Sequence, residues 1–244
     1  MALSSFIRIS IIRFTSLFFS SKKSKVIFYH DIHSDKQYTD MSTPIKLFKR
    51  HIQFIRENGY EIVSEITENN RQIEICFDDG FSGFYDNIKI INSLEIPITI
   101  FVITSLIGSE NYLTKTQIIE LNENPLVNFQ SHTHTHPNLP ILSDKNLDFE
   151  LLKSKKILED ICNKDVEAVC YPEGKFNNRV IDKSKNNGYT KQYSSIPGFY
   201  YNEFTLNVKK RSLVQFADEK EFLAILKGGD HILAIWYKFK YFIK

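Results

Sequence analysis

Short apolar runs alternate with longer amphipathic ones through most of this chain, and that alternation limits the fold more than any other feature. Residues 26–29, 73–77, 98–103, 127–130, 166–171 and 189–193 are apolar runs of strand length. Helical stretches fall between them. Thr43-Pro44 opens one that runs to about Glu57, because proline suits the first helical position, and Asn58-Gly59 ends it. A second is expected near residues 84–94, and the clearest spans 147–162. Strands and helices in this rhythm predict an α/β fold built on a parallel sheet or barrel. A length of 244 residues suits one such domain and is short for two.

Composition narrows the partners. Hydrophobic residues make up 42% and charged residues 25%, as expected of a chain with a packed core. A net charge of +2 offers no footprint for nucleic acid, so none is expected as a partner. The three cysteines, Cys76, Cys162 and Cys170, form no C-x-x-C pair and leave one over, which argues against a disulfide framework or a thiolate metal site. Cys76 and Cys170 lie in apolar runs and read as buried, inert thiols.

The two ends differ from the body. Residues 1–25 carry Arg8, Arg13, Lys22, Lys23 and Lys25, no acid, and many interleaved Ile, Leu and Phe. The charges interrupt the apolar stretch that a signal peptide or a spanning helix needs. The tail from Trp236 onward also alternates aromatic and basic residues. Either these are amphipathic segments that lie on an anionic membrane surface, or they are ordinary helices packed on the body. The chain is accordingly divided into an N-terminal amphipathic segment, 1–25, and a domain, 26–244.

Polar clusters end four of the strands, where α/β folds place their sites. They are Tyr29-His30-Asp31, Phe77-Asp78-Asp79-Gly80, Ser131-His132-Thr133-His134-Thr135-His136-Pro137 and Tyr171-Pro172-Glu173-Gly174. Asp-Gly alone is a common turn dipeptide. His132 and His136, however, are four residues apart, and a helical turn would put both rings on one face. Two imidazoles and one carboxylate would hold a divalent ion, zinc being the first candidate, and leave positions open for water and substrate.

Phe-Asp-Asp-Gly, then His-Thr-x-x-His-Pro, then Tyr-Pro-x-Gly, in that order, resembles the polysaccharide deacetylases of the NodB-homology type, carbohydrate esterase family 4. The likeness covers about residues 26–227. It implies a distorted (β/α) barrel of about seven parallel strands. It also implies Asp78 as general base and Asp79, His132 and His136 as metal ligands, with His134 not a ligand. The backbone N–H of Glu173 would be the oxyanion donor, and Tyr171 and Pro172 would meet the substrate. Two features depart from the usual pattern. No arginine precedes Pro172, where Val169-Cys170-Tyr171 stands, and no Leu-x-His-Asp run supplies a late general-acid histidine, His231 following Asp230 instead. Tyr29-His30-Asp31-Ile32 looks like the opening of a circularly permuted branch, similar to poly-N-acetylglucosamine deacetylases, in which the first strand supplies the acid, so that role falls to His30.

The resemblance implies a metal-dependent bacterial hydrolase that removes N-acetyl groups from a surface glycan or its lipid-linked precursor. A cytoplasmic protein peripherally attached to the membrane is expected, with export left open. The departures motivate one alternative, a carbohydrate-binding protein whose turnover is weakened; a second alternative is a metal-dependent hydrolase of O-acetyl esters or other non-peptide C–N bonds.

Overall fold

The computed structural model describes residues 5–18, 21–200 and 208–241. Its strands are β1 (Lys25–Tyr29), β2 (Asp31–His33), β3 (Ser42–Pro44), β4 (Glu61–Ile62), β5 (Gln72–Phe77), β6 (Ile98–Val102), β7 (Val127–Ser131), β8 (Ala168–Cys170), β9 (Lys191–Tyr193) and β10 (Arg211–Leu213). Its helices are α1 (Ser5–Thr15), α2 (Ile45–Glu57), α3 (Gly83–Asp86), α4 (Ile88–Leu94), α5 (Lys115–Asn122), α6 (Asp144–Cys162), α7 (Asn178–Asn186), α8 (Glu219–Leu226) and α9 (Leu233–Tyr241).

Eight strands form one parallel sheet: seven run in the order β10-β1-β5-β6-β7-β8-β9, and short β4 pairs with the start of β5. The sheet curls until its edges nearly meet. Ser194 N–H donates to Lys209 O at 2.9 Å, Lys209 N–H to Gln192 O at 2.7 Å, and Arg211 N–H to Ile196 O at 3.0 Å, so the segment leading into β10 runs beside the end of β9. The result is a nearly closed barrel with helices around it, as the sequence resemblance implied.

Strand side chains alternate between the two faces, and here the faces are the barrel interior and the helix layer. Phe101 of β6 packs on Tyr193 of β9 with ring centroids 5.2 Å apart, and Tyr193 Oη donates to Glu74 Oε1 of β5 at 3.0 Å. These strands are not neighbours, so the contacts cross the interior. Val26, Phe28, Cys76, Ala168 and Cys170 share that small inner core. Ile27, Tyr29, Ile73, Ile75, Phe77, Phe129, Val169 and Tyr171 face outward into the larger core beneath the helices. Amphipathic α2 covers part of it with Ile45, Phe48, Ile52 and Ile55, at helical spacing.

Some boundaries differ from the sequence expectation. The helix expected over 84–94 is two helices, because Asn87 interrupts it and turns its side-chain amide onto Gly83 O at 2.8 Å. The strand expected over 166–171 pairs only at Ala168–Cys170. Left-handed Asn163 ends α6, placing a turn just ahead of Val166.

Both terminal helices lie against the body. On α1, Ile12 and Thr15 are buried, and Thr15 Oγ1 donates to Gly229 O at 2.5 Å. Its arginines reach α8 and its N-cap: Arg8 pairs with Glu221 at 2.9 Å and Arg13 with Asp218 at 2.5 Å. Lys22 donates to Asn58 O, Lys23 lies over the Phe199 ring, and Lys25 is buried against Asp230. The basic groups of residues 1–25 that suggested anionic lipid therefore have partners within the protein. Residues 1–4, 19–20 and 242–244 of the two amphipathic segments lie outside the described residues.

Candidate active site

Parity along the strands decides which polar residues reach the barrel mouth. On β1, Val26 and Phe28 point inward, so His30 does too. On β5, Cys76 points inward, and Asp78 follows it. On β7, His132 keeps the inward phase set by Gln130. Three strand ends thus aim His30, Asp78 and His132 at one mouth. Asp79 would face away by the same count. It adopts a left-handed backbone, φ 72°, which turns its carboxylate back toward His132. Gly80 follows with φ 85°, a conformation glycine adopts without strain.

Asp79, His132 and His136 offer ligand atoms that all lie within 4.8 Å of one another. His132 Nε2 is 3.5 Å from Asp79 Oδ1. Two ligands of one tetrahedral zinc ion stand about 3.3 Å apart, given metal–ligand bonds of about 2.0–2.1 Å, so the donor set fits such an ion with little adjustment. His132 Nδ1 lies 2.8 Å from Cys170 O. A carbonyl can only accept, so Nδ1 carries the proton and the Nε2 lone pair faces Asp79. Burial, partly opposed by Asp78, lowers the His132 ring to about 4, so it is neutral at physiological pH, as a metal ligand must be.

The two histidines do not share a helical face. The segment between them is irregular, with φ of 67° at Thr133 and 59° at His136, and this turn brings the rings to 4.7 Å. Glu150 of α6 holds it: its carboxylate accepts the N–H groups of His134 at 2.9 Å and Thr135 at 2.7 Å. His134 points elsewhere, bonding Thr104 Oγ1 at 2.9 Å and packing on Phe149.

Asp78 is buried and doubly bonded. Arg211 Nη1 donates to Oδ1 and Nη2 to Oδ2, both at 2.7 Å. Burial alone would raise the Asp78 carboxyl, but the Arg211 charge and hydrogen bonds override it and hold the group at about 2. Arg211 is itself fixed, donating from Nε to Ser194 O at 3.1 Å and approaching Cys170 Sγ at 2.7 Å. An arginine was expected just before Pro172 and looked absent. The last barrel strand supplies one instead. Cys170, read from sequence as simple packing, touches that arginine, and burial keeps its thiol protonated.

His30 is half-buried at the same mouth, close enough that its charge bears on Asp78. Its Nδ1 lies 2.6 Å from Gln215 Oε1, an acceptor, which leaves Nε2 available. Gln215, just beyond β10, was not singled out in the sequence. His231 lies near the other end of the barrel, stacked on Phe199 with centroids 5.0 Å apart and close to Lys25, which begins β1.

The Tyr171 side chain does not meet a substrate at this mouth. Its parity points outward, and it is wholly buried, with its hydroxyl on Gln192 at 2.7 Å and Ser184 at 3.2 Å. Pro172 is buried as well. Glu173 has a left-handed backbone, φ 54°, inside the turn closed by Gly174 N–H to Tyr171 O at 2.9 Å, and its side chain is exposed and paired with Lys175.

Fold and mouth together define a class: parallel α/β barrels with a two-histidine, one-carboxylate constellation at their strand ends. The chain belongs to the polysaccharide deacetylase family, whose sequence profile matches residues 65–191, just over half of it. It is 26% identical over 187 residues to YxkH of Bacillus subtilis, covering 72% of this chain and 66% of that protein. It is 29% identical over 180 residues to the poly-beta-1,6-N-acetyl-D-glucosamine N-deacetylase of Staphylococcus epidermidis, covering 64% of this chain and 62% of the relative. The matches thus span about two thirds of these relatives' lengths. The structure of the Streptococcus pyogenes deacetylase PplD in complex with acetate superposes with a TM-score of 0.72 at 24% identity, over 82% of this chain and 96% of that one.

Proposed function

We propose that this protein hydrolyses N-acetyl groups from an N-acetylated glycan of the bacterial surface, with a divalent ion held by Asp79, His132 and His136. The observation that carries the reading is the Arg211–Asp78 pair at the edge of that donor set. A carboxylate kept ionised beside three candidate ligands, but not needed among them, is placed to act as a base. The ion, for which zinc suits two imidazoles and a carboxylate, would polarise the acetyl carbonyl and acidify the attacking water. Asp78 takes the proton of that water. His30, steadied by Gln215, gives a proton from Nε2 to the departing nitrogen as the C–N bond breaks, so the products are acetate and a free amine. The Glu173 N–H is the proposed oxyanion donor. A binding protein without turnover would need no ionised carboxylate placed beside the donor set yet outside it.

The relatives' names suggest a β-1,6-linked N-acetylglucosamine polymer as the first substrate to try, with lipid-linked sugars second. The test is acetate release from N-acetylated glycans, lipid-linked N-acetyl sugars and an O-acetylated glycan, with and without chelator. Chelator-sensitive release from an N-acetylated glycan is expected. Release from the O-acetyl ester alone, or none from any of the panel by the metal-loaded protein, overturns the reading. His132→Ala should strip the ion, while His134→Ala should not, and equal metal content in both would reassign the ligands.

Peripheral membrane attachment is proposed on a separate observation. Ile7, Phe14, Leu17 and Phe18 face outward on and just after α1 and are 50%, 63%, 77% and 73% exposed. No helix among the described residues is long and apolar enough to cross a membrane. With the nearby cations already paired, attachment should depend on apolar insertion. Phe14→Ser with Leu17→Ser should reduce co-sedimentation with liposomes, and sedimentation unaffected by that pair would refute it.

A further inference from the structure

The loop that carries Asp79 is laced to a second segment that no catalytic step uses. Ser82 N–H donates to Asn111 O, and Leu113 N–H to Gly80 O, both at 2.9 Å. Phe81 and Tyr112 face each other across this antiparallel bridge. Their rings stack at 4.6 Å between centroids, with 24° between planes. Phe81 is buried beneath, whereas Tyr112 is half-exposed. Asn111, just before it, has a left-handed φ of 72°, so this short turn presents Tyr112 in a set direction. Burial, with a smaller contribution from the Asp79 charge, raises the Tyr112 phenol.

We infer that Tyr112, backed by Phe81, is the aromatic wall of the subsite that receives the pyranose carrying the acetamido group. The argument is one of placement and chemistry. A sugar has an apolar C–H face and a rim of hydroxyls, and a tyrosine ring offers a flat apolar surface with a polar tip. A ring stacked from behind on a buried phenylalanine loses little rotamer freedom on binding, which favours it as an anchor. Because the bridge joins Phe81 and Tyr112 to the residues that immediately follow Asp79, the wall and the proposed ligand move as one unit. The wall therefore sets how far the acetyl carbonyl lies from the donor trio, and it selects a ring over a small acyl compound.

This inference rests on the proposed deacetylase reading, and two substrates separate their failures. With the holoenzyme, kcat and KM are measured on an N-acetylglucosamine oligomer and on a small activated acetyl ester that lacks a sugar. For Tyr112→Ala the ratio of kcat/KM for oligomer over ester should fall about tenfold, chiefly through KM, a loss of the size that one aromatic contact supplies. Tyr112→Phe should recover most of that loss, since the ring remains. Bound metal should stay at the wild-type level in both variants. An unchanged ratio in Tyr112→Ala, or an equal loss on both substrates with loss of metal, overturns the inference. Inactive wild-type protein on every glycan would instead sink the deacetylase reading.

Discussion

Two buried ion pairs, one made by a residue of β10 and the other hydrogen-bonded to one, behave as opposites. At the mouth, Arg211 points inward and clamps Asp78 with two bonds of 2.7 Å. One residue on, Ser212 points outward and, with Lys25, holds Asp230 ahead of α9: Lys25 Nζ lies 2.6 Å from Asp230 Oδ1 and 3.2 Å from Ser212 Oγ. All four charged groups are nearly inaccessible. Each pair has its histidine nearby, His30 at the mouth and His231 at the other end. Burial of an ion pair therefore does not mark a site by itself. What separates the two is their surroundings: the upper carboxylate sits beside the Asp79, His132 and His136 donor set, while the lower one, bonded to Lys25 and Ser212, ties a helix to the barrel.

The largest expected effect breaks that comparison at the carboxylates. Asp78→Asn should lower turnover by roughly 10²–10⁴, the usual worth of a general base, with bound metal unchanged. Asp230→Asn should leave turnover per folded molecule near wild type. Comparable loss in both, measured as acetate release normalised to folded protein, would mean the lower pair serves catalysis too.

The histidines come next. His30→Ala should slow amide hydrolysis more than hydrolysis of an activated ester of the same sugar, because a good leaving group needs less protonation. If His231→Ala gives that pattern and His30→Ala does not, the acid comes from the other end of the chain.

The cations sharpen the contrast through stability. Lys25→Met and Arg211→Met each strand a buried carboxylate, at a cost of about 3–5 kcal/mol in denaturant unfolding. Only Arg211→Met should also reduce activity in the molecules that remain folded. It should also move the acid limb of the pH–rate profile to higher pH, because Asp78 loses the partner that holds it at about 2. A profile that keeps its acid limb would detach Arg211 from the base.

The smallest effect is on acid stability. Asp78 is lowered from 3.8 to about 2 on folding, so it favours the folded state above about pH 4, and that contribution is lost as pH falls through 2. The difference is worth about 2 kcal/mol at neutral pH. Unfolding free energies of Asp78→Asn should consequently depend less on pH between 4 and 2 than those of wild type. Equal slopes would mean that the pair is not formed in solution.

Much of this was legible in the sequence. Apolar runs named six of the barrel strands, though not β10, and the strand ends named His30, Asp78, Asp79, His132 and His136, because a parallel barrel collects its strand ends at one mouth. The outward direction of Tyr171 was also readable, since it follows Cys170 by one residue and strand parity is strict, yet the motif around it suggested a substrate contact. Three things required the folded chain. Arg211 lies 133 positions from Asp78, and nothing local announces it. It arrives only because β10 pairs with β1 and nearly meets β9, so a side chain from the last strand crosses the interior. The His132–His136 geometry depends on left-handed residues held by Glu150, a choice of backbone that spacing alone does not encode. The terminal arginines looked like free charge because their acidic partners, Glu221 and Asp218, are more than 200 residues away. Local propensity and periodicity are written in neighbouring residues, whereas ion pairs and cross-barrel contacts are decided by which distant strands and helices the closure of the barrel brings together.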